Sequence, residues 1–386
     1  MTRSLPKLLI HVMAVLLVLA GAAVAIASRS DAEAPPPAKP LAEAVHDAFS
    51  APAPQGVSGR LVFRNNLVDS AAVPQGGQNP LLSGADGRFW VAGDGRARLE
   101  LQSDAGDAQI QLDGDRISVY EPATDTIYAM TLPAAPGMEG ELPTAGAIQL
   151  ALSRLARGLA LSDAKPGTVA GEAAYTVRIS PRHDGGLVGA AELAWDAAHG
   201  VPLRAAVYAQ GAGEPVLEVE ATEIDFGPVA EADVELPRPS GARVVEIDDA
   251  VNGHAAQSGG NGLGRNAAVE AVQAKVDFAL SAPASIAGLP RRSLRTIRMD
   301  GSTGALATYG KGLGALMVLE APAGGDRGGL AAGNAPGLQE LSIDGSTAHE
   351  LATALGTIVQ FERDGVAYTV IGSVPPAAAE AAARAL

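Results

Sequence analysis

Apolar and polar positions alternate with a period of two through most of this chain. Leu61 and Phe63 alternate with Arg60, Val62 and Arg64. Ala97, Leu99 and Leu101 share one face, and Arg98, Glu100 and Gln102 the other. Ile110 and Leu112 alternate with Gln109 and Gln111; Asp113-Gly114 then signals a hairpin turn before Ile117 and Val119. Ile127 and Ala129 continue the pattern. Val177 with Ile179, Leu193 with Trp195, Leu203 with Val207, and Leu217 with Val219 resume it further on. This spacing predicts short, half-buried antiparallel strands.

Two segments follow a helical period instead. Leu41, Val45, Ala48 and Phe49 fall on one face of a helix that Pro52 and Pro54 end. A longer helix is expected from about Ala145 to Leu161. Its face Ile148, Leu152, Leu155 and Leu159 is apolar, and Arg154 and Arg157 lie away from it. Asp69 to Gly87 reads as a long polar loop. Many strands and few helices predict an α+β fold with a curved antiparallel sheet that encloses something.

A second, smaller α+β unit is expected near the C-terminus. Asp248 to Arg265 is Gly-rich, has no apolar period and reads as a linker. Ala267 to Phe278 reads as helix. Leu294–Met299, Ala305–Tyr309, Ala315–Glu320, Ile358–Glu362 and Tyr368–Ile371 read as strands. An alanine-rich helix follows Pro375-Pro376, with Glu380 and Arg384 spaced for an ion pair. The domains are then a leader segment (1–30), a Pro-rich tether (31–40), the half-barrel (41–247), the linker (248–266) and the C-terminal unit (267–386).

Charge and the N-terminus narrow the compartment and the partners. The net charge of −15 argues against nucleic acid. With no cysteine there is no disulfide, thiolate metal site or lipid-modified cysteine. Arg3 and Lys7 precede an uncharged apolar run from Leu8 to Ala27. It suits either a cleaved signal peptide or a retained membrane anchor, and both place the remainder outside the cytoplasm.

Candidate chemistry is sparse. His349-Glu350 opens a stretch like a zinc motif, but Thr353 stands where the second histidine is needed. Gly310, Gly312 and Gly314 precede a strand, which suits a hairpin better than a phosphate loop. Asp86, Asp94, Asp104, Asp107, Asp113 and Asp115 sit at apparent turns and form no calcium loop. No serine has an obvious histidine partner. The expectation is a protein that is not an enzyme and has no cofactor or metal.

Several phrases, in order, carry a family resemblance. They are Gly87-Arg88-Phe89 before Arg96–Glu100, Asp113-Gly114 before Val119–Pro122, Gly171–Tyr175, and Glu223–Gly227 before Leu236–Pro239. Across about residues 40–247 the chain resembles the LolA/LolB-like lipoprotein-carrier superfamily and its RseB and LppX/LprG relatives. Through Tyr309–Gly314 and Phe361–Val370 the C-terminal part, about residues 267–386, resembles a module found behind such domains in Gram-positive bacteria, which suggests an actinobacterial type with an added C-terminal module. The resemblance implies a strongly curved antiparallel sheet, an incomplete β-barrel with a helical lid, whose concave face binds lipid or lipoprotein acyl chains. Its lining would be Leu99, Leu101, Ile110, Leu112, Ile117, Val119, Val177, Ile179, Leu193, Trp195, Val207, Leu217 and Val219. Ile148, Leu152, Leu155 and Leu159 would form the lid. Two alternatives stay open: an RseB-like regulator that binds an anti-sigma factor or another envelope protein, and a structural envelope module with a dry core.

Overall fold

The structure is a computed structural model that describes residues 33–67, 80–104, 106–122, 125–131, 144–183, 186–236, 239, 241–246, 269–299, 302–324 and 338–386. The apolar run from Leu8 to Ala27 and the expected linker lie outside the described residues. Among the described residues no helix is long and apolar enough to cross a membrane.

The first unit begins with α1 (Leu41–Ser50), β1 (Gly56–Asn65) and α2 (Pro80–Ser83). A meander follows: β2 (Ala85–Ala92), β3 (Ala97–Ser103), β4 (Gly106–Asp113), β5 (Arg116–Glu121) and β6 (Thr126–Thr131). Then come α3 (Ala145–Leu155), β7 (Leu159–Leu161), β8 (Lys165–Val169), β9 (Glu172–Pro181), β10 (Val188–Asp196), β11 (Pro202–Ala209) and β12 (Leu217–Phe226). The unit ends with α4 (Glu231–Val234) and β13 (Arg243–Glu246). These thirteen strands form one curved sheet in the order β13-β6-β5-β4-β3-β2-β1-β12-β11-β10-β9-β7, with β8 also on β9. Its pairs are antiparallel except β13 with β6, and β13 and β7 end the order without meeting, so the barrel is incomplete.

Curvature has a local cause. The register slips between Arg60 and Leu61 against β12, and β10 slips twice against β11, and such bulges bend a strand and raise its twist. Two glycines sit where the sheet folds inward. A Cβ on Gly59 would lie 2.1 Å from the Glu223 carbonyl oxygen, and one on Gly87 would lie 2.8 Å from that of Glu100. Only a residue without a side chain lets these strands approach so closely.

Several segments differ from the sequence expectation. The Asp69–Gly87 loop contains α2, whose Leu81 is buried. Pro80 at the first helical position fixes φ where no backbone donor is needed. The lid helix stops at Leu155, because the chain turns at Ala156 and Gly158. Leu159 is therefore not on the helix but on β7, opposite Pro181. Residues 33–40, expected as a free tether, run against the sheet in their described part. The Glu33 N–H reaches the Gly171 oxygen at 2.8 Å, and Tyr175 Oη donates to the Pro37 oxygen at 2.6 Å.

The C-terminal unit holds α5 (Val269–Gln273), β14 (Ser285–Ile286), β15 (Leu289–Met299), β16 (Ser302–Tyr309), β17 (Leu316–Pro322), β18 (Leu338–Ile343), β19 (Ser346–Thr353), β20 (Gly356–Arg363), β21 (Val366–Gly372) and α6 (Pro376–Arg384). Its sheet order is β14-β15-β16-β17-β21-β20-β19-β18, and α6 packs on one face. The helix expected over Ala267–Phe278 spans only Val269–Gln273 in the described residues. His349-Glu350 lies on β19, so it has no helical spacing at all. Gly310 and Gly312 serve the β16–β17 connection with φ of 80° and 66°. Glu380 and Arg384 pair at 2.6 Å.

The two units touch. The Ala354 N–H donates to the Leu67 oxygen at 2.8 Å, and Leu355, at the β19–β20 turn, packs against the core of the first unit. The Leu187 N–H donates to the Ser373 oxygen at 3.0 Å. Gly186 beside it has φ of 59°, and a Cβ there would lie 1.9 Å from that same oxygen.

One acidic side chain lies inside the C-terminal core. Glu320 of β17 is 1% exposed, and its carboxylate accepts the Ser281 N–H at 2.7 Å. Ser281 Oγ in turn donates to the Leu386 oxygen at 2.6 Å. Burial pushes the Glu320 carboxyl up to about 7, against a smaller lowering by the Ser281 N–H. The ordinary value for this group is 4.5, so between 4.5 and about 7 the folded state holds a proton that the unfolded state has lost. Stability from this site is full below 4.5 and is lost as pH rises to about 7. Glu320→Gln is expected to remove that slope from the urea-unfolding profile and to stabilise the protein above neutral pH by about 3 kcal/mol. An unchanged profile would show that burial costs this carboxylate nothing.

Candidate functional site

The strand registers place all thirteen of the expected lining residues on one face of the first sheet. Ile179 pairs with Ala191 and Val177 with Leu193; Leu193 pairs with Ala205, Ala205 with Val219, and Val219 with Phe63. Beyond β2 the same face continues through Leu99 with Ile110, Ile110 with Val119, and Leu112 with Ile117. Trp195 pairs with Tyr175, and Leu217 with Val207. Alternation by two within each strand carries this face across the sheet.

The face is covered unevenly. Over β3 to β6 it is filled. Leu99, Leu101, Ile110, Leu112, Ile117 and Val119 are all buried and pack with Phe63, Tyr128 and Met130. The small helix α2 sits over this part and inserts Leu81, which is only 2% exposed. Over β9 and β10 a second cluster forms where α1 and α3 pack on each other. There Leu41 and Ala44 of α1 meet Tyr175, Val177 and Trp195, with Leu152 against them. Ile148 is buried, whereas Leu155 overhangs at 51% exposed. Of the four expected lid residues, Leu152 packs against this cluster, Ile148 is buried, Leu155 is exposed and Leu159 belongs to a strand.

Between these covered regions lies an apolar strip that is only half buried. It comprises Ile179, Leu193, Val207 and Val219, one from each of β9 to β12. Leu217 closes it toward the filled side. One polar group lies at its margin: the Trp195 Nε1–H is buried without an acceptor among the described residues. Apolar walls with a single oriented donor are the usual make-up of a small-molecule site. A separate groove of about 790 Å3 opens at the ends of β1 to β4, but Asn65, Asp86, Gln102, Asp104 and Asp107 make it polar.

The opposite face of β1 and β9 to β12 is charged. Arg204 lies between Glu192, at 2.8 Å, and Glu218, at 2.7 Å. Arg178 pairs with Glu192 at 2.8 Å, and Arg64 pairs with Glu218. Tyr208 Oη donates to Glu192 at 2.8 Å. Burial alone would raise the Glu192 carboxyl, but hydrogen bonds from Arg204, Arg178 and Tyr208 outweigh it and bring the carboxyl down to about 2. This side of the sheet therefore holds its strands together by ion pairs, and the apolar work falls to the other side. Among the described residues no three metal-ligating side chains gather.

Sequence reasoning missed α2 and the Leu355 turn, both of which cover the inner face. The signal for α2 was present as Pro80 before Leu81-Leu82; Leu355 carried none, because its target is remote in sequence.

No protein-family model matches the chain, and no curated protein matches it by sequence. Solved structures do. The MucA/MucB complex of Pseudomonas aeruginosa is 17% identical over 89% of this chain and 94% of that chain, with a TM-score of 0.41. A MucB structure in complex with MucA(peri) is 18% identical over 89% and 94%, also at 0.41. A LolA superfamily protein from Nitrosomonas europaea is 11% identical over 52% of this chain and 99% of that chain, at 0.23. The last carries the name of the superfamily that the sequence phrases resemble.

The uneven cover has a measurable consequence. Leu101→Ala and Ile110→Ala, in the filled part, are each expected to cost ~2–5 kcal/mol in urea unfolding. Val219→Ala, on the open strip, is expected to cost ~1 kcal/mol or less. Equal losses at all three positions would show a strip packed as tightly as the rest.

Proposed function

We propose that this chain is an extracytoplasmic binding protein that holds acyl chains of lipids or lipoproteins along the inner face of its half-barrel. The observation that carries this reading is the half-buried apolar strip of Ile179, Leu193, Val207 and Val219, beside the cover made by α1 and α3. An acyl chain laid on it would complete the burial that the protein's own side chains leave unfinished. Each buried methylene contributes about 0.8 kcal/mol, so a chain needs few polar contacts to be held. The buried Trp195 Nε1–H supplies one donor for an ester or phosphate oxygen. The apolar run at Leu8–Ala27 supports export, and the net charge of −15 supports a partner other than nucleic acid. On this reading the chain does no covalent chemistry and needs no cofactor.

A second reading, a regulator that binds an envelope protein such as an anti-sigma factor, draws support from the contact between the units. Leu355 lies against the same core that backs the strip, so occupancy of the strip and the seating of the C-terminal unit share a neighbour.

Lipid extracted from the purified protein and identified by mass spectrometry tests the first reading. Wild type should carry acyl chains. Val219→Glu and Leu193→Glu place a charge on the half-open strip; both should stay folded by circular dichroism and lose the lipid. The same charge at Leu112 or Val119 should unfold the unit, because those residues are packed. Wild-type protein that carries no lipid and takes up no fluorescent fatty acid would sink the carrier reading and leave the regulator in its place.

A further inference from the structure

Helix α3 is apolar on more sides than its packing uses. Leu152 packs against the sheet and Ile148 is buried, yet Leu150 is 53% and Leu155 51% exposed. Six large apolar side chains are exposed among the described residues, and three of them belong to the packed pair α1 and α3: Leu150, Leu155 and Phe49. On α3, Leu150 and Leu155 stand about 140° apart with the exposed Ala147 and Ala151 between them, and an exposed apolar arc of this kind marks an interaction surface.

The charge around it says which kind. No acidic residue occurs from Thr144 to Ser162, in a chain that is otherwise strongly acidic. Arg154 follows Leu150 by one helical turn, and Arg157 follows Arg154 just past the helix end. Both are exposed, and among the described residues neither side chain is in an ion pair. Arg182 adds a third guanidinium where its Nε donates to the Leu159 oxygen at 3.0 Å. Asp47, near Phe49 on α1, is already tied to Lys39 at 2.5 Å. Exposed leucines flanked by unpaired arginines fit an anionic, apolar-cored partner, and a lipid surface is that partner.

We propose that α3 is a membrane-docking helix, lying in the interface of an anionic lipid leaflet with Leu150 and Leu155 among the acyl chains and Arg154 and Arg157 among the headgroups. The net charge of −15 repels the rest of the molecule from the same surface, so the approach is oriented with this face first. The inference stands on the exposed side chains of α3 and does not require the inner strip to be occupied.

The absence of cysteine makes the test direct in the full-length chain, whatever its N-terminal segment does. A polarity-sensitive dye on Leu150→Cys is compared with the same dye on Glu223→Cys, an exposed position on the charged face. The protein is mixed with vesicles of phosphatidylcholine alone or of phosphatidylcholine with phosphatidylglycerol. The dye at residue 150 should shift to the blue only with the anionic vesicles, and lipid-borne quenchers should reach it; the dye at 223 should stay in water. Added salt should reverse the shift. Arg154→Glu combined with Arg157→Glu should move the equilibrium about ten-fold toward the aqueous state, with circular dichroism unchanged. A dye at 150 that stays in water overturns the proposal, as does an equal shift with both vesicle types. A shift that follows protein concentration without vesicles assigns the face to a second copy and overturns it as well. Bound lipid measured in the same samples separates the two readings: retained lipid with a water-exposed dye defeats docking alone.

Discussion

A sheet bent into an incomplete barrel exposes an inner apolar surface that its own strands cannot cover. Everything else in the first unit answers that constraint. The bend comes from Gly59 and Gly87, where a Cβ would collide with backbone oxygens, and from the slip at Arg60–Leu61. Once bent, the strands turn one continuous apolar face inward. Helices α1 and α3 cover its β9–β10 end, and α2 covers its β3–β4 end. Even the C-terminal unit contributes, through Leu355. Between these covers the strip at β9 to β12 is left half open, and the geometry of the bend decides where that is.

The outer face solves a different problem. It stays in contact with water, so its cross-strand pairs are charged. Arg204 bridges Glu192 and Glu218 across three neighbouring strands, and Arg178 and Arg64 extend the row at its two ends. Glu218 is buried and Arg204 largely covered, so these partly buried pairs form a connected row that fixes strand register on this side. One sheet thus has an inner side free to accommodate a guest and an outer side that keeps the frame in place.

Much of this frame was readable in the amino-acid order. The alternation of Leu99, Leu101, Ile110, Leu112, Ile117 and Val119 identified both the strands and the side they present. It could not say that these six are packed while Val207 and Val219 are half open. That difference depends on which distant segment lies above each residue. Leu81 and Leu355 come from a four-residue helix and a hairpin tip, too short to show a period. Leu159 fits a helical face by count, yet the turn at Gly158 hands it to β7, where its pairing with Pro181 outweighs local preference. Strands β18 and β19 were not among the expected strands.

The seating of residues 33–40 along the first sheet has a consequence for reach. Glu33 is held by Gly171 and Pro37 by Tyr175, so the sheet takes hold of the chain only six residues after Ala27. Fully extended, six residues span about 20 Å. Were the apolar run to stay in a bilayer, that reach would set how far the folded unit could stand from the lipid. Such a molecule would search a thin layer above the membrane rather than the whole compartment. Its effective concentration at that surface would be set by that reach, not by its abundance.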